Sequence, residues 1–83
     1  REEEKDLLDE DCLGFLMYLA QSEVLTATTR ELVLDRVIAL DHPLSIEQLK
    51  WIVMIALHTH PGQENAFAWL ESLEFNEVQA HAQ

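Results

Sequence analysis

Three kinds of side chain in this sequence are capable of chemistry, and spacing tests each. His42, His58 and His60 are the candidate metal ligands. His58 and His60 stand at i,i+2, whereas side chains on one helix meet at i,i+3 or i,i+4. Pro61 also breaks any helix directly after His60. No glutamate lies between the pair in a metalloprotease arrangement, so the expectation is a surface pair near a helix C-terminus and no metal. Cys12, the single cysteine, is the candidate nucleophile. Its neighbours Asp9, Glu10 and Asp11 oppose a thiolate instead of favouring one. Cys12 therefore reads as a small core residue in a reducing cytosol. Neither a Gly-x-Ser-x-Gly turn nor a Gly-rich phosphate loop is present. Sixteen Asp and Glu guarantee chance pairs such as Glu71 and Glu74, which therefore carry no weight as an acid–base dyad. The sequence names no catalytic residue, no cofactor and no metal site, and the expectation is that the domain is not an enzyme.

Composition narrows the class further. Eighty-three residues make one small domain, and 48% hydrophobic content with two Gly and two Pro excludes a disordered or linker-like chain. Five Lys and Arg against sixteen Asp and Glu give a net charge of −11. That balance argues against direct nucleic-acid binding by this domain and favours a protein partner with a basic surface. The longest apolar run, 51–57, is far short of the roughly 20 residues that cross a bilayer, so no membrane is involved. The chain opens on Arg-Glu-Glu-Glu-Lys-Asp with neither Met nor a secretory h-region. It reads as a cytoplasmic, C-terminal fragment of a longer chain, with the N-terminal region of that parent chain as a further neighbour.

Four segments carry helical periodicity, and none alternates at period two. The first spans about 3–21, with Leu8, Cys12, Phe15, Leu16 and Leu19 on one stripe. Gly14 sits inside it and suggests close approach of another helix. The second is entered between Thr26 and Thr28: Thr28 with Glu31 makes a capping box, and Thr26 is the alternative cap. Its apolar face is Val33, Leu34, Val37, Ile38 and Leu40, and Asp41-His42-Pro43 ends it. Ser45 and Gln48 box the start of the third, which runs to about Thr59 before His60-Pro61-Gly62. The fourth covers about 63–73, with Ala66, Phe67, Trp69, Leu70 and Leu73 apolar. Connections of roughly three to six residues suit a compact four-helix domain, orthogonal or bundle-like, over residues 1–75. Residues 76–83 are expected to be a frayed tail.

The third helix is the most informative. Ile46, Leu49, Val53, Ala56 and Leu57 form one face, while Trp51, Ile55 and His58 lie nearly opposite. A helix apolar on both sides is expected to be central, covered on each flank. Left uncovered, Trp51, Ile55 and His58 would instead mark a partner-binding patch. Arg30 and Arg36 are candidates to hold a partner's carboxylate. Trp69 shares a stripe with Leu70 and Leu73 and is expected in the core.

In order along the chain, Cys12-Leu13-Gly14-Phe15-Leu16, Thr29-Arg30-Glu31-Leu32-Val33, Asp35-Arg36-Val37, Ala39-Leu40-Asp41, Leu49-Lys50-Trp51-Ile52-Val53, Pro61-Gly62, Glu64-Asn65-Ala66 and Leu70-Glu71 resemble the C-terminal part of the bacterial Smg family. The resemblance spans about residues 8–75. It implies a helical, soluble bacterial protein of undefined biochemical function, and it brings no catalytic or binding residues with it. The functional expectation is a non-enzymatic, acidic protein-interaction domain. The alternative is a nucleic-acid-related role, by mimicry of DNA or RNA with the acidic surface or by positioning an N-terminal nucleic-acid-binding region.

Overall fold

The computed structural model describes the backbone of residues 7–82 and the side chains of residues 7–73. Four helices follow one another: α1 (Glu10–Gln21), α2 (Ala27–Leu40), α3 (Ile46–Thr59) and α4 (Glu64–Ala82). No strand occurs among the described residues, so the fold is all-α as the periodicity requires. None of the described helices is long and apolar enough to cross a membrane.

The centre is α3, which packs against α1, α2 and α4. Its Leu49, Val53 and Leu57 recur at i, i+4 and i+8 and are buried. Cys12, Leu16 and Leu19 of α1 close over this core, with Val33, Leu34 and Val37 of α2 and Leu70 of α4. Full burial of each such aliphatic side chain favours the folded state by about 1.5–3 kcal/mol before chain entropy is counted. Val24 and Leu25, in the α1–α2 connection, are buried too. Their N–H groups both donate to the Leu19 carbonyl, at 2.9 and 3.2 Å, so a loop segment enters the core with its polar backbone paired.

Local signals set the helix ends. Ser45 Oγ accepts from Gln48 N–H at 3.2 Å, and Gln48 Oε1 accepts from Ser45 N–H at 3.0 Å, completing the expected capping box. At α2 the box is displaced from the expected Thr28–Glu31 pair to Thr26 and Thr29. Thr29 Oγ1 accepts from Thr26 N–H at 2.9 Å, and Thr26 Oγ1 accepts from Thr29 N–H at 3.2 Å. Thr29 is fully buried whereas Thr28 is exposed, so starting at Thr26 satisfies a hydroxyl that the core must hold in any case. After α3, the Gln63 N–H donates to the His60 carbonyl at 3.3 Å around Pro61 and Gly62. Gly62 has φ +87°, the value a type II turn demands at its third residue.

Four expectations need correction. The first helix does not run unbroken from residue 3: Leu8 and Asp9 are non-helical, and residues 1–6 lie outside the described part. The cause is Asp9, which is extended at ψ −178° and uses its side chain to cap α1, accepting from Cys12 N–H at 2.9 Å. Gly14 meets no close neighbour: a Cβ built there has nothing within 4 Å. The fourth helix does not stop near Leu73; helical backbone continues to Ala82 although the apolar stripe has ended. Leu40, expected on the buried face of α2, is 43% exposed, because it falls at the end of the helix on the i, i+4, i+8 row of Leu32 and Arg36 and not on the buried row of Val33 and Val37, before Asp41 ends the helix in the left-handed region at φ 53°.

Three measurements follow from these local arrangements. Gly14→Ala should raise stability by about 1 kcal/mol, since it removes glycine's backbone entropy cost in open space; a thermal or urea melt reads this, and a loss of stability would mean a steric neighbour at that site. Hydrogen bonds from Cys12 N–H and then from its thiol hold the Asp9 carboxyl below its ordinary 3.8. A depressed folded-state pKa contributes stability above the unfolded value that disappears as pH falls through the folded one. Asp9→Asn should therefore preserve the cap at neutral pH and flatten the stability curve below about pH 4. Burial first, and then the nearby Asp9, push the Cys12 thiol up to about 11. Its sulfur also lies 3.7 Å from the Leu44 carbonyl, so alkylation near pH 8 should proceed only on unfolding.

Candidate functional site

The outer side of α2 and α3 exposes four large apolar side chains, Leu32, Leu40, Trp51 and Ile55. Trp51 is 64% exposed and Ile55 59%. They stand one turn apart on α3, opposite the Leu49–Val53–Leu57 stripe, so the turn that buries one set turns the other outward. The expectation that α3 is central holds, but the expectation that its second apolar side is covered does not. Three neighbours occupy one side of the helix and leave this one in water.

Beside Ile55 runs a groove of about 220 Å³ between α2 and α3, lined by Leu32, Arg36, Leu40, Ile52, Ile55, Ala56 and Thr59. Leu32, Arg36 and Leu40 recur at i, i+4 and i+8 and form one wall. Ile52, Ile55, Ala56 and Thr59 form the other. Thr59 adds little polarity, because its hydroxyl is satisfied within its own helix, donating to the Ile55 carbonyl at 2.9 Å with the Ala56 carbonyl 3.3 Å away. The polar character of the groove therefore rests on the Arg36 guanidinium. The volume lies below the several hundred Å³ typical of small-molecule sites. A groove this small and open suits side chains of another polypeptide better than an enclosed substrate.

Of the residues singled out from the sequence, Arg36 and Ile55 meet in this groove, and Trp51 stands one turn before Ile55. His58 is exposed, with its ring 5.1 Å from that of Phe67 on α4, and Arg30 is an exposed residue of the first turns of α2; neither lines the groove. Leu32 was not singled out from the sequence, and Leu40 was expected on the buried face of α2 and not in a groove. Their signal was the shared i, i+4, i+8 register with Arg36, which sets them apart from Val33 and Val37.

A second apolar area lies elsewhere on the surface. Trp69, expected in the core, is 38% exposed, and its ring lies 6.2 Å from that of Tyr18, tilted by 36°. Leu70 takes the buried position that the shared stripe offered to both. Leu13 and Met17 of α1 are also exposed. Among the described residues no group of three His, Cys, Asp or Glu is placed to hold a metal ion.

Comparison with known proteins adds identity without mechanism. A family model described as "Protein of unknown function (DUF494)" matches residues 1–82. "Protein Smg homolog" of Nitrosococcus oceani is 50% identical over 76 residues, which is 90% of this chain and 48% of that protein. "Protein Smg" of Sodalis glossinidius is 47% identical over 81 residues, covering 96% of this chain and 52% of its own length. "Protein Smg homolog" of Xanthomonas campestris pv. campestris is 51% identical over 73 residues, or 87% and 46% of the two chains. The chain thus spans about half the length of the curated relatives it matches. No solved structure matches. A family model spanning nearly every residue, together with relatives near 50% identity, places this all-α domain in the Smg family, a family of unknown function.

Proposed function

We propose that this domain is a non-enzymatic protein-interaction module, and that the Trp51–Ile55 face with the adjoining α2/α3 groove is where the partner docks. The observation that carries the reading is the exposure of Trp51 and Ile55, 64% and 59%, beside an aliphatic groove. Large apolar side chains gathered at one place and rimmed by polar residues are the ordinary mark of a contact surface. Tryptophan in particular supplies a large share of binding energy when an interface covers it. A net charge of −11 adds a long-range field that draws basic partner surfaces and repels phosphate backbones. Within a full-length Smg protein, the part of the molecule that this chain does not span is a partner of the same standing as a separate protein.

Site-specific photo-crosslinking in the full-length protein tests this. A photoreactive side chain replacing Trp51 should give one discrete adduct, intramolecular or intermolecular, while the same group replacing the exposed Glu71 of α4 should give none. Ile55→Glu should abolish the adduct and leave stability within about 0.5 kcal/mol of the parent. An absent adduct, or an Ile55→Glu variant that unfolds, overturns the docking face. Salt separates the rival reading: an adduct with a basic nucleic-acid-binding protein that vanishes above about 0.5 M salt would favour mimicry of a phosphate backbone.

A further inference from the structure

The groove carries more information than its apolarity. Its aliphatic walls come from Leu32 and Leu40 on one side and Ile52, Ile55 and Ala56 on the other. Thr59 is satisfied within α3. Among the described residues, the Arg36 guanidinium has no hydrogen-bond or ion-pair partner. Arg36 stands one turn from Leu32 and one turn from Leu40, midway along its wall. A cation set between two leucines of an apolar wall calls for a carboxylate in the middle of an apolar stripe. An arginine fork also binds a carboxylate with two parallel hydrogen bonds, which fixes its register.

Backbone chemistry selects the shape of the occupant. No strand, and so no sheet edge, is present among the described residues. An extended segment lying in the groove would face aliphatic side chains with unpaired N–H and C=O groups. A helix satisfies its own backbone and offers side chains at i, i+4 and i+7. The wall from Leu32 to Leu40 is about 12 Å long at 1.5 Å per residue, which is about two turns of an incoming helix. Charge then sets the flanks. Asp35 and Asp41, next in sequence to the groove residues Arg36 and Leu40, are exposed, as is Glu47, one turn before Trp51 on α3. A uniformly acidic helix would meet these carboxylates, and a uniformly basic one would place a cation against Arg36.

We infer that the α2/α3 groove receives an amphipathic helix of about two turns, whose apolar stripe is interrupted by a single carboxylate that pairs with Arg36 and whose flanks are basic. This rests on the docking face proposed above and specifies the chemistry of what docks there.

The probe is a synthetic helical peptide with leucines along one stripe, one glutamate at the stripe's centre and lysines on the flanks. A second peptide carries lysine in place of that glutamate. Titration of this chain, followed by calorimetry, should show the glutamate peptide binding about tenfold more tightly than the lysine peptide. Arg36→Glu should reverse that preference, Arg36→Gln should erase it, and Ile55→Glu should weaken both peptides. Thermal melts of the Arg36 variants should match the parent, because the residue is exposed. Equal binding of the two peptides, or a preference that Arg36→Glu leaves unchanged, overturns the carboxylate pairing; if Ile55→Glu still weakens both, the docking face itself survives. Binding that Ile55→Glu does not affect places the helix elsewhere and overturns the inference. So does the absence of binding by the parent chain.

Discussion

The burial of α3 on one side only is the constraint from which the remaining features follow. Leu49, Val53 and Leu57 must leave water, and α1, α2 and α4 together provide the cover. A helix also has a far side, and in this one it carries Trp51 and Ile55. Nothing on the inner side can be exchanged for them without emptying the core, since loss of a buried leucine to alanine costs about 2–5 kcal/mol. The inner packing and the outer apolar face are thus two consequences of one sequence pattern. The core fixes the outer face in orientation and gives it a rigid support, which lowers the entropy that a partner's docking must overcome.

The connections hold that support in place with few polar contacts. Leu44, just before α3, donates its N–H to the Leu7 carbonyl at 3.1 Å, and its own carbonyl lies 3.7 Å from the Cys12 sulfur. The entry to α3 is thereby tied to the start of α1, across more than 30 residues of chain. On the other side, Asp41 closes α2 in the left-handed region with its N–H on the Val37 carbonyl at 3.3 Å. These two ties bracket the α2–α3 connection and so set the relation between the two walls of the groove. They also enclose Cys12, the most chemically versatile side chain by type. Its thiol is enclosed, kept protonated and used as a packing group.

Periodicity made the interior of the fold legible, and it did so because a helix repeats its faces regardless of context. The stripe of Leu49, Val53 and Leu57, the box of Ser45 and Gln48, and the stop at His60-Pro61-Gly62 are local facts that any surroundings would respect. Whether a stripe has a neighbour is a tertiary fact. Trp69 and Leu70 sit side by side in sequence, yet Leu70 is buried and Trp69 is 38% exposed. Gly14 looked like a contact point and has open space around it. Thr26 prevailed over Thr28 because of where Thr29 had to be buried, and that depends on the core. The groove was half legible: Arg36 and Ile55 were named for their chemistry, whereas Leu32 and Leu40 became visible only as the wall that α2 turns toward α3.

Charge acts on two length scales in such a molecule, and the proposed partner must satisfy both. The net −11 is felt as a field that salt attenuates over about 8–10 Å. In the proposed complex it would govern the rate and direction of approach. Arg36 acts only at contact, within a groove whose aliphatic walls lower the local dielectric once a partner displaces water. In the proposed complex it would govern register and residence time. A segment with a basic periphery and one acidic centre meets both conditions, and added salt should slow its association far more than it speeds its release. A purely electrostatic partner would lose its complex altogether under the same salt. The kinetics of binding thus separate a surface that works through its overall charge from one that works through a single arginine in an apolar wall.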